Sequence, residues 1–106
     1  MSSILAYTEV LSKVAESLVI TEKYSSAEEV FRELAIAAVR RKTAYYQRRL
    51  RQFERKYLAN FESFTTRLQG KATPAEEDDW LAWRSSRSML ADWQKVHQDL
   101  LNESAR

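Results

Sequence analysis

The sequence predicts an all-α fold: three helices, with one very long central member and an antiparallel helical hairpin at its C-terminal end. Three observations predict it. The 106 residues include one Gly and one Pro, too few turn residues for a sandwich or barrel, which need a tight turn about every ten residues. Apolar residues recur at three- and four-residue steps, not at every second position. Helix-start signals stand at Ser25–Glu29 and Thr73–Glu76, and each is followed by a long run with no breaker.

In the first element, Ile4, Tyr7, Leu11, Val14 and Leu18 fall on one side of a helix over about residues 3–20. The segment from Thr21 to Ser25 then turns the chain. Ser25 and Ser26 each have a glutamate three positions on, Glu28 and Glu29. Either pair makes a capping box, in which Ser accepts from the third amide and Glu reaches back. No Gly or Pro follows until Gly70. The central helix is therefore expected over residues 27–69, roughly 65 Å at 1.5 Å per residue, with Gly70 ending it in the left-handed conformation. Thr73-Pro74-Ala75-Glu76 combines a cap, a proline at the first helical position and a closing glutamate. Glu77, Asp78 and Asp79 add negative charge at the positive end of the helix dipole. The last helix is expected over residues 74–102. The short connection makes it the antiparallel neighbour of the central helix, within a single helical domain spanning residues 1–106.

The helix faces predict the packing. In the second half of the central helix Val39, Tyr46, Leu50, Phe53, Tyr57, Phe61, Phe64 and Leu68 form a stripe. Its recurring eleven-residue spacings favour a nearly straight coiled-coil hairpin. The last helix answers with Trp80, Trp83, Leu90, Trp93, His97 and Leu100. Antiparallel register sets Trp80 against Phe64, Trp83 against Phe61 and Trp93 against Leu50, with small Ser86 and Ser88 leaving room for rings. In the first half, Val30, Phe31, Leu34 and Ala38 point roughly 100° or more away from that stripe, at 100° per residue. Ala35, Ile36 and Val39 make the same stretch apolar most of the way round. The first helix covers one face only. Val30, Phe31, Leu34, Ala35 and Ala38 are therefore expected to form a self-interface in a homodimer or larger assembly.

Most enzyme chemistry is disfavoured by what the chain lacks. It has no Cys and a single histidine, His97, so one chain cannot build a His/Cys zinc site. The residue three before His97 is Gln94, not the Glu of a di-iron bundle, and one Gly cannot build a phosphate-cradling loop. The acidic run Glu76–Asp79 is explained by dipole compensation, because consecutive helical carboxylates diverge. No catalytic residue, metal or cofactor is expected. The longest apolar run, Leu34–Val39, is six residues, so no membrane span is expected. The start of the chain lacks a secretory pattern, and a cytoplasmic location is expected.

Charge is the uneven feature. Residues 1–39 carry three basic and six acidic side chains, residues 40–56 eight basic and one acidic, and residues 57–106 six basic and eight acidic. Within the basic block Arg40, Arg41, Arg48, Arg51 and Arg55 share the side away from the aromatic stripe, with Tyr45 on the flank. Such a ladder of planar, always-charged donors fits phosphates or the carboxylates of a partner. Short polar base-reading side chains are missing at the start of this helix, so sequence-specific DNA reading is not indicated.

Residues 10–42, VLSKVAESLVITEKYSSAEEVFRELAIAAVRRK, comprise a leucine-containing helix, a Tyr-Ser-Ser turn, a Glu-Glu start and an arginine-rich end. They resemble the helix–turn–helix part of small prokaryotic type II antitoxins. The long arginine-rich helix followed by a Trp-containing acidic helix is likewise similar to small helical antitoxin-like proteins. The resemblance implies a non-enzymatic module that neutralises a toxin, encoded nearby, by direct contact. Arg40, Arg41, Tyr45, Arg48, Arg51 and Arg55 are the expected contact residues. Two readings stand beside it: a small helical dimer that binds nucleic acid without sequence specificity, and a structural or adaptor coiled-coil protein.

Overall fold

The computed structural model describes residues 2–21 and 25–104. Glu22, Lys23 and Tyr24 of the expected turn lie outside the described residues. Four helices follow in order: α1 Ser2–Ile20, α2 Ala27–Tyr57, α3 Phe61–Leu68 and α4 Pro74–Ser104. No strand occurs among the described residues. The all-α expectation holds, but the count of three does not, because the single central helix expected over 27–69 is two helices.

The break lies at Leu58-Ala59-Asn60. Leu58 adopts a φ of 51°, the left-handed conformation that usually calls for glycine. The Ala59 N–H reaches back to the Glu54 carbonyl at 3.4 Å, the six-to-one bond of a Schellman ending. Asn60 then caps α3, its side chain accepting from the Ser63 N–H at 2.8 Å. Arg67 of α3 donates to the Tyr57 carbonyl at 3.3 Å, satisfying an end group of α2. The break has a packing consequence. Seven residues of straight helix rise about 10.5 Å, yet the rings of Tyr57 and Phe64 lie 4.0 Å apart.

The chain forms two compact units, residues 1–38 and 39–106. In the first, α1 and the start of α2 bury Ala15, Val30 and Ile36. Ser26 caps α2, accepting from the Glu29 N–H at 3.1 Å, while the Glu29 carboxylate accepts from the Ser25 N–H at 3.2 Å and from the Ser25 hydroxyl. The box therefore closes one residue further out than the sequence pattern implies. The apolar stripe of α1 is not its buried side. Tyr7, Leu11 and Val14 are exposed, and Ala15 takes the interior position.

The second unit is built on rings. Phe53, Phe64 and Trp83 form its core, with Leu50, Tyr57, Phe61, Leu68, Trp80 and Ala82 packed against them. Trp83 meets Phe53 at 5.5 Å, Phe61 at 5.5 Å, Phe64 at 5.4 Å and Tyr57 at 6.3 Å. These separations are those at which offset and edge contacts add to simple burial. Ser86, one turn on from Trp83, is buried, and its small side chain leaves space for them. The expected Trp83–Phe61 contact is present. Trp80 is displaced from its expected place and stacks on Phe61 at 5.8 Å, because the break re-aims α3. Thr73 and Glu76 form the expected reciprocal box, at 2.9 and 3.2 Å. Gly70 has the expected positive φ, 72°, but it follows α3 and not a long central helix.

Candidate partner-binding surface

Seven of the basic residues of α2 sort into two groups by what they touch. Two on the side of the rings, Arg49 and Lys56, are occupied. The Arg49 guanidinium sits 5.1 Å over Phe53, and Lys56 donates to Asp79 at 2.7 Å while lying over Tyr57. Across the same unit Arg87 pairs with Glu62 at 2.9 Å and covers Phe61, and Arg84 covers Trp80. These contacts cap an aromatic cluster with cations, each worth on the order of 0.5–1 kcal/mol at exposed sites.

Arg40, Arg41, Arg48, Arg51 and Arg55 form the second group. All five are exposed, and none hydrogen-bonds or pairs with another described residue. At 100° per residue they occupy an arc of about 100° on the side opposite Phe53 and Tyr57. From Arg40 to Arg55 the ladder runs roughly 22 Å along the helix. Tyr45 stands exposed at its edge and meets Tyr46 edge-to-face at 4.9 Å. The structure thus brings the six expected contact residues together on α2. The sequence cause is the phase of the ring stripe. Once Phe53 and Tyr57 face inward, positions 40, 48, 51 and 55 must face out.

Asp79 fixes the orientation of the opposite helix. The Lys56 ammonium, and then the Tyr57 hydroxyl, donate to its carboxylate and hold its pKa below the ordinary value. Burial first, and then the bond to Asp79, push the Tyr57 phenol up to about 12. Asp79 is thus more than a dipole-compensating charge, a role that spacing alone did not reveal. His97 is half-buried. No cluster of three metal-ligating side chains occurs among the described residues.

The expected self-interface is only partly available. Val30 is buried within its own chain, Phe31 and Leu34 are exposed, and Ala35 and Ala38 are half-buried. Two open depressions stand out among the described residues. One of about 220 Å³ is lined by Thr65, Leu68, Gln69, Ala72, Glu77 and Trp80, but its best donor, Trp80 Nε1, is already bonded to Thr65 Oγ1 at 2.8 Å. The other, about 350 Å³, runs along α1 past Val10, Val14 and Leu18.

No protein-family model, curated protein or solved structure matches the chain. The chain's own surface offers a row of exposed guanidinium groups on α2, beside a packed ring cluster. Such a row can grip anionic groups spaced along a partner, and Arg does so bidentately where Lys would not. The described helices include none long and apolar enough to cross a membrane.

Proposed function

We propose that this chain is a non-enzymatic, cytoplasmic protein-binding module that acts as an antitoxin, covering the active surface of a toxin encoded beside it. The observation that carries the reading is the unpaired ladder Arg40, Arg41, Arg48, Arg51 and Arg55 with Tyr45 at its edge. Arginine and tyrosine are the residues that most often anchor protein interfaces, and complementary charge sets the rate and register of docking. A protein partner is favoured over nucleic acid because the chain also exposes large apolar side chains, Tyr7, Leu11 and Leu34 among them. Apolar surface of that kind marks protein contacts. Phosphate backbones make no use of it.

The test is co-expression with the neighbouring gene product. The expected result is a soluble complex and loss of toxicity. Changing Arg48, Arg51 and Arg55 together to Glu should leave helicity intact and weaken that complex. Full neutralisation by the triple variant would remove the ladder from the contact. A neighbour that is harmless when expressed alone would overturn the antitoxin reading.

A further inference from the structure

Leu58 is a residue that the fold itself does not explain. Its side chain is 88% exposed, and its backbone stands at a φ of 51°. A single exposed leucine is ordinary on a protein surface. A leucine that also bears left-handed backbone is not, because glycine or asparagine takes that position at lower cost. The helix break accounts for the backbone but not for the leucine. Strain kept at a side chain that packs on so little points to a functional contact.

The surroundings say what that contact takes. The bond from the Ala59 N–H to the Glu54 carbonyl keeps the chain on the α2 cylinder as far as the α-carbon of Leu58. That α-carbon lies about 4.5 Å along the axis beyond Arg55. At 100° per residue it falls at the edge of the arc that carries Arg51 and Arg55. From α3, Arg67 donates to the Tyr57 carbonyl at 3.3 Å, part of the peptide group that joins Tyr57 to Leu58. One bond to a carbonyl leaves most of a guanidinium's donors for a carboxylate. Arg51, Arg55 and Arg67 are exposed and form no ion pair among the described residues. Glu54 lies roughly 40° outside the arginine arc, and Glu62 of α3 is paired with Arg87 at 2.9 Å, so neither neutralises them. All of these residues belong to the compact unit of residues 39–106.

We propose that Leu58 is the apolar anchor of the arginine surface. Its occupant is an acidic segment of a partner protein, whose apolar side chain packs on Leu58 while flanking carboxylates take Arg55 and Arg67. Carboxylates pair with guanidinium groups bidentately, and an apolar contact surrounded by polar ones is how protein interfaces concentrate affinity. A nucleic-acid backbone offers phosphates but no apolar group for an isolated leucine. Unpaired bases stack on aromatic rings and guanidinium planes, not on leucine. The inference rests on the ladder being a protein contact, as proposed above, but not on the partner being a toxin.

A displayed random-peptide library panned on the full chain tests it. Peptides enriched by the wild type should share an apolar residue flanked by Asp or Glu. The best of them should bind Leu58→Gly at least about tenfold more weakly, although Leu58→Gly raises the urea midpoint of the fold. Leu58→Asn, which also suits the left-handed backbone, should lose as much, whereas Leu58→Met should bind nearly as well as the wild type. Arg55→Gln should weaken the acidic preference. Enrichment without acidic residues, or acidic enrichment with no shared apolar residue, overturns the inference. So does equal binding by the wild type and Leu58→Gly, or binding of polyuridylate that is tighter than the peptide's and indifferent to Leu58→Gly. A neighbouring gene product that proves harmless overturns the antitoxin reading and leaves the library result standing.

Discussion

The Tyr57 hydroxyl of α2 donates to the Asp79 carboxylate of α4, which also takes the Lys56 ammonium at 2.7 Å. One carboxylate near the start of α4 thereby ties down the last turn of α2. The tie lies at the edge of the ring cluster, where Tyr57 is half-buried, and it couples the fold to proton concentration at both ends of the pH scale.

At high pH the Tyr57 phenol governs. Its folded pKa of about 12 lies above the ordinary 10.0, so its contribution is complete below pH 10.0 and is lost as pH rises through about 12. Urea midpoints measured from neutral to strongly alkaline pH should fall across that window, and Tyr57→Phe should flatten the fall. At low pH the sign reverses. The Asp79 pKa is depressed, so its contribution is present above the ordinary carboxylate range and is lost as pH falls through the folded value. Asp79→Asn should blunt that acid limb.

Trp83 is 1% exposed and touches four rings. Trp83→Ala should cost about 3–5 kcal/mol, read as a large drop in the urea midpoint. Trp83→Phe should recover a substantial part of it. A loss below about 1 kcal/mol on the same scale would mean that the ring cluster is not the source of this unit's stability.

Leu58 carries a left-handed backbone with an 88% exposed side chain, so it bears steric strain with no packing in return. Left-handed geometry costs a non-glycine residue roughly 1–2 kcal/mol, partly offset by the greater backbone freedom that glycine loses on folding, about 0.5–1 kcal/mol. Leu58→Gly should therefore stabilise by roughly 0.5–1 kcal/mol, raising the urea midpoint with an unchanged slope. Leu58→Ala should not.

Thr73 and Glu76 satisfy each other's backbone amides at the start of α4. Thr73→Ala should cost about 1 kcal/mol, and Thr73→Ser should cost much less.

The same residues show how far the sequence could be read. The Thr73 box, the Gly70 turn and the inward phase of Phe53, Phe64 and Trp83 were legible because each is a local rule of spacing or backbone freedom. Leu58 was not, because leucine is a strong helix former and its left-handed state is imposed by ring packing that joins Tyr57 to Phe64. The usable signal was Asn60 followed by Glu62, a cap and an acidic first turn. The arginine ladder was legible as a face, since periodicity fixes which residues share a side. Periodicity does not fix which side is covered. Hence the stripe of α1 was legible as one side of a helix, while Ala15 and not Leu11 turned inward.

All three tryptophans, Trp80, Trp83 and Trp93, lie on α4, and none lies in the compact unit of residues 1–38. Intrinsic tryptophan emission is therefore a selective reporter of the ring-built unit, and the α1-containing unit is dark to it. Circular dichroism weighs both units by their helical length. If the two units melt independently, emission and ellipticity will trace different transitions in the same sample, and no label is needed to separate them.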